Sequence, residues 1–210
     1  MLSLLGGCAE KQKASHISQI GPEDLLSRGL KRMEQSEYKY AVESFQAIKD
    51  RYPYSKIVIT AELKMAESHI LLEDYESALT VYYDFEKLHP KDSNIPFVIY
   101  QEGMCNMDQV SAIDRDPTYT IRARSEFIRL IKRFPESEWS NKARVNLKKC
   151  IIYLAEYELY VGRFYYKMGK YASALDRFTF LIKNYPDMGQ YHEALEYIGK
   201  CKAKLAETEQ

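Results

Sequence analysis

The chain has 210 residues and a formal net charge of zero, because 30 Lys and Arg side chains balance 30 Asp and Glu side chains. This balance argues against a nucleic-acid partner, since phosphate binding requires a basic excess on some surface. Apolar residues make up 46% of the chain, which is typical of folded proteins and excludes a disordered one. No apolar run approaches the ~20 residues that a membrane-spanning helix needs.

The first eight residues end in Leu5-Gly6-Gly7-Cys8, which resembles a bacterial lipobox. In a lipobox an apolar residue and two small residues precede the cysteine that is diacylated. Residues 1–8 are then the end of a lipoprotein signal peptide, and residues 9–22 are a polar linker. The alternative is a chance four-residue match. A lipid on Cys8 would anchor the chain without spanning the membrane.

Helix breakers divide the rest of the chain into nine predicted helices. They span residues 23–35, 38–52, 55–71, 75–89, 94–109, 117–134, 137–168, 171–185 and 189–206. We group them into two N-terminal repeats (23–92), a third repeat with a loop insertion (93–136), and a C-terminal repeat with a long helix and a capping helix (137–210).

A pattern of a small residue, an alanine, an aromatic residue and a proline recurs at fixed spacing. Its members are Gly29, Ala41, Phe45 and Pro53; Ala66, Ala78, Tyr82 and Pro90; Ala123, Phe127 and Pro135; Gly162, Ala174, Phe178 and Pro186. This is the pattern of tetratricopeptide (TPR) repeats, and it predicts an all-α, right-handed superhelical array of about nine helices.

Each position of the pattern has a physical role. The small residue and the alanine allow the two helices of a repeat to approach closely. The aromatic residue is expected to fill the space between neighbouring repeats. The proline ends the second helix, because it has no N–H for the backbone ladder.

No catalytic, phosphate-binding or metal-binding motif is present, and the sequence predicts neither an enzyme nor a cofactor. The acidic side chains alternate with Lys and Arg, as solvated helix faces do, so we interpret them as surface residues. Cys105, Cys150 and Cys201 lie in apolar helical patterns. An exported location permits disulfides, but the pattern favours buried free thiols.

Function must therefore reside in surfaces, and the first helix of each repeat lines the concave face of a TPR array. In the first two repeats this face forms an apolar groove suited to a peptide segment. The groove residues are Leu26, Leu30, Met33, Leu63, Glu67, Ile70 and Leu71. For Leu30 and Leu63, burial between repeats is an equally good interpretation.

These features together resemble the BamD (ComL) family of lipoproteins. The resemblance rests on residues 51–55 (Arg-Tyr-Pro-Tyr-Ser), 94–100 (Asn-Ile-Pro-Phe-Val-Ile-Tyr), 114–117 (Asp-Arg-Asp-Pro), 134–137 (Phe-Pro-Glu-Ser) and 154–158 (Leu-Ala-Glu-Tyr-Glu). The Asp-Arg-Asp-Pro motif is the most specific, because generic TPR proteins have no reason to hold it. The chain departs from the family after about residue 205, where the family usually has another helix.

The resemblance implies an accessory of the outer-membrane β-barrel assembly (BAM) machine. Its expected partners are a POTRA domain of the BamA-type Omp85 insertase, other BAM lipoproteins, and unfolded outer-membrane proteins received in the N-terminal groove. Its expected location is the inner leaflet of the outer membrane, through the lipid on Cys8. By motif position, Arg177 resembles the arginine that pairs with a POTRA carboxylate. The alternative for Arg177 is a solvated helix charge.

Two other functions stay open at this point. One is a generic periplasmic TPR adaptor lipoprotein, for example in envelope and division coordination; the 114–117 loop and the long helix argue against it. The other is a cytoplasmic TPR co-chaperone with a basic clamp for peptide C-termini. The lipobox and the apolar groove argue against that one.

Overall fold

The computed structural model describes residues 20–110 and 116–208, and within these ranges the chain forms nine α-helices and no strand. The helices are α1 (Pro22–Glu34), α2 (Tyr38–Arg51), α3 (Ile57–Leu71), α4 (Tyr75–Leu88), α5 (Ile95–Asp108), α6 (Thr118–Arg133), α7 (Glu138–Lys167), α8 (Tyr171–Asn184) and α9 (Tyr191–Thr208). The all-α prediction is confirmed, and each helix begins and ends within two residues of its predicted bounds. Cys8 and the 9–22 linker up to residue 19 lie outside the described residues.

The chain divides after Pro90 into two compact units. In the N-terminal unit, helices α1 to α4 pack consecutively, and α1 also contacts α3. In the C-terminal unit, α5 to α9 pack consecutively, and α7 contacts both α5 and α9. Each unit is thus built from antiparallel helix pairs whose first helices lie side by side.

The second helix of each pair ends at its proline. The N–H of Tyr52 donates to the carbonyl of Ile48 at 2.8 Å, and Pro53 then has no N–H to continue the ladder. The same bond, made by the residue before the proline, recurs in the other three pairs. The donors there are His89, Phe134 and Tyr185.

In three pairs a short turn joins the two helices, and this turn contains a residue with a left-handed backbone conformation. Ser36, Glu73 and Gly169 have φ of 58°, 58° and 71°. The next residue then donates its N–H to a carbonyl five positions back, as Glu37 does to Arg32 at 2.8 Å. This bond satisfies a carbonyl that the helix end would leave unpaired.

Where the small residue of a pair is a glycine, it lies against the aromatic ring of the same pair. A Cβ on Gly29 would lie 2.3 Å from Cε1 of Phe45, and one on Gly162 would lie 2.5 Å from Cε1 of Phe178. The ring thus occupies the space that the absent side chain leaves between the two helices of its own repeat, a contact that the sequence analysis did not predict. The Phe178 ring also stacks on Tyr197 of α9, beyond its own pair, with ring centroids 5.0 Å apart.

Gly103 is the small residue of the third pair, where the sequence pattern had none. A Cβ there would lie 2.4 Å from Cε1 of Phe127. The loop between α5 and α6 lengthens the interval between Gly103 and Ala123 beyond the usual spacing of the repeat. A count of residues back from Ala123 therefore does not reach Gly103. Asp114 and Arg115 of this loop lie outside the described residues. Asp116 Oδ1 accepts the N–H of Thr118 at 3.0 Å, at the start of α6.

The long helix predicted over 137–168 is confirmed as α7, which has 30 residues. Ser137 caps its start, where Oγ accepts the N–H of Trp139 at 3.2 Å. At ~1.5 Å per residue the helix spans about 45 Å. It contacts α6 and α8, so it belongs to two successive helix pairs.

Three glutamates that the sequence analysis placed on solvated faces are buried: Glu62, Glu102 and Glu158. Glu62 Oε2 lies 2.8 Å from His89 Nε2, and Lys49 Nζ lies 3.5 Å from Glu62 Oε1. Glu102 pairs with Arg129 of the neighbouring helix. Each buried carboxylate thus has a cationic or imidazole partner on another segment, as buried charges require.

The three described cysteines are buried free thiols, as predicted. Burial raises the pKa of Cys105 to about 12 and that of Cys150 to about 11. Both therefore stay protonated at neutral pH and are poor nucleophiles.

Among the described helices, none is long and apolar enough to cross a membrane.

The Gly103–Phe127 contact yields a stability prediction. Gly103→Ala should destabilise the C-terminal unit by about 1–3 kcal/mol, because the new methyl group overpacks the ring of Phe127. Urea unfolding followed by the fluorescence of Trp139, the single tryptophan of the chain, measures this effect.

Gly199→Ala is the matched control, since a Cβ on Gly199 of α9 meets nothing within 4 Å. That substitution should raise stability by up to ~1 kcal/mol through helix propensity alone. Equal effects of the two substitutions would contradict the packing role of Gly103.

Candidate functional site

Arg177 lies on α8 and pairs with a carboxylate of its own chain. Its Nη1 donates to Oε2 of Glu158 on α7 at 3.2 Å. The Arg177 side chain is 42% exposed and that of Glu158 is 9% exposed. Ala174 and Phe178 of α8 are buried against α7, and this orientation of the helix places Arg177 at the edge of the interface.

The ion pair holds Arg177 in its charged form. Partial burial alone would lower its pKa, but the hydrogen bond and the negative charge of Glu158 raise the pKa above the usual value of arginine. The structure adds one fact to both sequence interpretations, a docking group or a solvated charge. Arg177 pairs with Glu158 of its own chain, and its guanidinium is still accessible.

Aromatic and polar side chains surround this guanidinium. Arg177 lines a pocket of about 380 Å³ with Tyr165, Ser173, Asp176 and Phe180. Phe180 is 44% exposed, and Phe164 on the last turns of α7 is 52% exposed. Exposed aromatic rings beside an arginine are the composition of interface hot spots. We call the surface formed by Phe164, Tyr165, Arg177 and Phe180 the aromatic-arginine face.

The predicted groove residues lie on α1 and α3, which contact each other. Leu26, Leu30, Met33, Leu63 and Ile70 are partly buried, and Glu67 and Leu71 are exposed. None is fully buried, so the structure does not place Leu30 and Leu63 in the core. The buried positions of these helices are others, among them Leu25, Gly29 and Met65.

A basic pocket on the N-terminal unit escaped the sequence analysis. Arg28 and Arg32 of α1 and Arg51 of α2 line a pocket of about 250 Å³ with Tyr40. Arg32 pairs with Glu37 and lies 5.2 Å from the centroid of Tyr40. The four-residue spacing of Arg28 and Arg32 was visible in the sequence, but Arg51 reaches them only through the α1–α2 pairing.

This basic pocket differs from the clamp that a peptide-binding co-chaperone would need. Its arginines lie on the two helices of one pair, whereas that clamp requires basic groups on successive first helices.

Among the described residues, the structure brings no nucleophile and general base together in a catalytic arrangement. His89, which follows α4, contacts Glu62 of α3, and Lys49 of α2 lies near the same carboxylate. These contacts stabilise the packing of the three helices. Within residues 20–110 and 116–208, no three His, Cys, Asp or Glu side chains converge to hold a metal ion.

Comparison with known proteins identifies the family. The family profile described as "YfiO: Outer membrane lipoprotein" matches residues 18–210. The outer membrane protein assembly factor BamD of Rickettsia prowazekii is 28% identical over 193 residues, which cover 91% of this chain and 76% of the relative. BamD of Neisseria gonorrhoeae is 26% identical over 215 residues, which cover 96% and 80%.

Among solved structures, the TPR2AB domain of yeast Sti1 superposes with a TM-score of 0.54; that structure is described as a complex with pHSP90. It is 14% identical, and the match covers 88% of this chain and 70% of the other. This likeness supports the TPR fold alone. The chain belongs to the YfiO family of outer-membrane lipoproteins, and the resemblance to BamD that its motifs indicated is confirmed.

Proposed function

We propose that this chain is a non-catalytic scaffold of outer-membrane β-barrel assembly, held at the periplasmic face of the outer membrane by a lipid on Cys8. In this role its C-terminal unit docks on a POTRA domain of a BamA-type Omp85 insertase, alongside other BAM lipoproteins. Its N-terminal groove receives unfolded outer-membrane proteins. The names of its relatives, which describe an outer membrane protein assembly factor, support the general role.

The observation that carries the docking proposal is the aromatic-arginine face. Glu158 accepts one N–H of Arg177, and a guanidinium has five donors. The remaining donors can serve a carboxylate of the partner in a bidentate pair. Phe164 and Phe180 would then bury apolar area around the ion pair and exclude water from it.

The N-terminal groove suits an extended apolar peptide because part of its apolar surface is accessible. Its leucine, isoleucine and methionine side chains keep part of their surface accessible along two adjacent helices. Burial of apolar area contributes roughly 25 cal/mol per Å², so a peptide with alternating apolar residues gains affinity from several small contacts.

Docking should depend on the guanidinium of Arg177 and not on its ion pair with Glu158. Arg177→Gln should weaken binding to the purified POTRA region of the same organism's insertase about tenfold to a hundredfold, the range expected for one charge-assisted hydrogen bond. Isothermal calorimetry on the chain from residue 9 onward measures the affinity.

Two variants test whether this loss is specific. Lys183→Gln removes another positive charge from α8 and should leave the affinity unchanged. Glu158→Gln releases the guanidinium and should keep or strengthen binding. If Glu158→Gln weakens binding as much as Arg177→Gln does, Arg177 acts by holding α7 and α8 together, and the docking proposal is wrong.

The groove proposal predicts an effect of Leu71, which is among its exposed members. Leu71→Glu should weaken the binding of a fluorescent peptide from the C-terminal strand of an outer-membrane β-barrel protein by about fivefold or more, because a carboxylate replaces an apolar contact. Fluorescence anisotropy measures the affinity. Leu88→Glu changes an exposed leucine of α4 outside the groove and should leave the affinity unchanged. Equal losses of affinity from the two substitutions would show that the peptide does not bind in the groove.

The anchor proposal predicts that Cys8 carries the acyl chains. In cells fed an alkyne analogue of palmitate, the full-length protein should be labelled, and Cys8→Ser should abolish the label. Label that persists in Cys8→Ser would show that the lipobox match is fortuitous.

A further inference from the structure

One segment of the C-terminal unit carries an excess of positive charge that the zero net charge of the whole chain conceals. Between Thr118 and Lys149, which include α6 and the first three turns of α7, nine Lys and Arg side chains outnumber three Asp and Glu side chains. Because the whole chain is balanced, the rest of it has an acidic excess of the same size. The two kinds of charge are therefore separated along the chain.

Helix α6 presents one side to solvent over its whole length. It packs on α5 and α7 through its opposite side. The buried residues of that side are Thr120, Ala123, Phe127 and Leu130. On the solvent side, Ile121 and Ile128 are 48% and 45% exposed. Ser125 and Lys132 are exposed at the same helical spacing, so this side holds two isoleucines and a lysine but no acid.

The acidic side chains of the segment are mostly engaged. Glu126, the single acid of α6, has its Oε2 2.7 Å from Nε of Arg129. Glu138 Oε1 lies 3.6 Å from Nζ of Lys142. The third acid, Glu136, lies in the turn between the two helices. Several exposed cations of the segment have no carboxylate partner among the residues that the structure describes. They are Arg122, Lys132, Arg144, Lys148 and Lys149.

The first turns of α7 extend the solvent side of α6. Arg144 Nη2 donates to the carbonyl of Pro135 at 3.0 Å, which holds the guanidinium beside the end of α6. Val145 is 60% exposed, and Lys148 is exposed one turn further along. We call the surface formed by these side chains the basic face. It consists of Ile121, Ile128 and Lys132 of α6 with Arg144, Val145 and Lys148 of α7.

We propose that the basic face binds the phosphate headgroups of an anionic phospholipid membrane. Proteins that lie on a membrane surface combine cations, which meet the phosphates, with apolar side chains that enter the headgroup region. The exposed side of α6 projects away from the two helices on which it packs. Such a surface suits a flat bilayer better than a peptide, which requires a groove.

This membrane surface is separate from the sites proposed above. It shares no residue with the aromatic-arginine face or with the N-terminal groove. The chain belongs to a family of outer-membrane lipoproteins, so a phospholipid partner is consistent with its family. The inference goes beyond the proposed function and does not rest on the lipid on Cys8, because the contact is made by side chains of α6 and α7.

The test uses the full chain with Cys8→Ser, so that no acyl chain on Cys8 contributes to binding. The protein is sedimented with vesicles of equal parts phosphatidylcholine and phosphatidylglycerol, and with vesicles of phosphatidylcholine alone. It should bind the anionic vesicles at least about tenfold more tightly, and added salt should weaken this binding by screening the charges. Lys132→Gln combined with Lys148→Gln should weaken it about tenfold or more, since one cation near an anionic surface contributes about fivefold.

Lys183→Gln combined with Lys202→Gln is the matched control, because it removes two exposed lysines of α8 and α9 outside the basic face. It should leave the affinity unchanged. Equal sedimentation with the two kinds of vesicle, or equal losses from the two pairs of substitutions, would overturn the proposal. Binding to poly-glutamate without binding to anionic vesicles would also overturn it, since the basic face would then recognise acidic protein segments.

Discussion

The contact between a glycine and an aromatic ring sets the geometry of the helix pairs. At Gly29, Gly103 and Gly162 the ring of the partner helix occupies the volume that a side chain would fill. A glycine inside a helix costs about 1 kcal/mol relative to alanine, but burial of a phenylalanine contributes about 1.5–3 kcal/mol. The close approach of the two helices then decides which side chains face solvent, including those of α8 on the aromatic-arginine face.

Buried glutamates add a second constraint, which links packing to surface chemistry. Glu62 and Glu102 hold cationic or imidazole partners from neighbouring segments, and Glu158 does the same for Arg177. A buried carboxylate is stable only with such partners, so its position dictates where a positive group must lie. In the last pair that positive group remains partly exposed. One interaction therefore supports the helix pair and leaves the guanidinium of Arg177 partly exposed.

The C-terminal unit presents a partly exposed guanidinium at the edge of a helix pair. Tyr165 and Phe180 line the same pocket, together with the polar side chains of Ser173 and Asp176. A positive group in such a place favours partners with a carboxylate and disfavours basic ones, since like charges repel at close range.

The sequence by itself determined the helix positions, the repeat class and the family, because prolines and small residues act locally and their spacing can be counted along the chain. It did not identify Gly103 as the small residue of the third repeat, because a loop lengthens the interval between Gly103 and Ala123. It also misjudged Glu102 and Glu158, because i,i+4 pairing is a local rule and their partners lie 27 and 19 residues away. Only the tertiary structure decided which carboxylates are buried and with which carboxylate Arg177 pairs, because burial and charge pairing depend on which helices pack together.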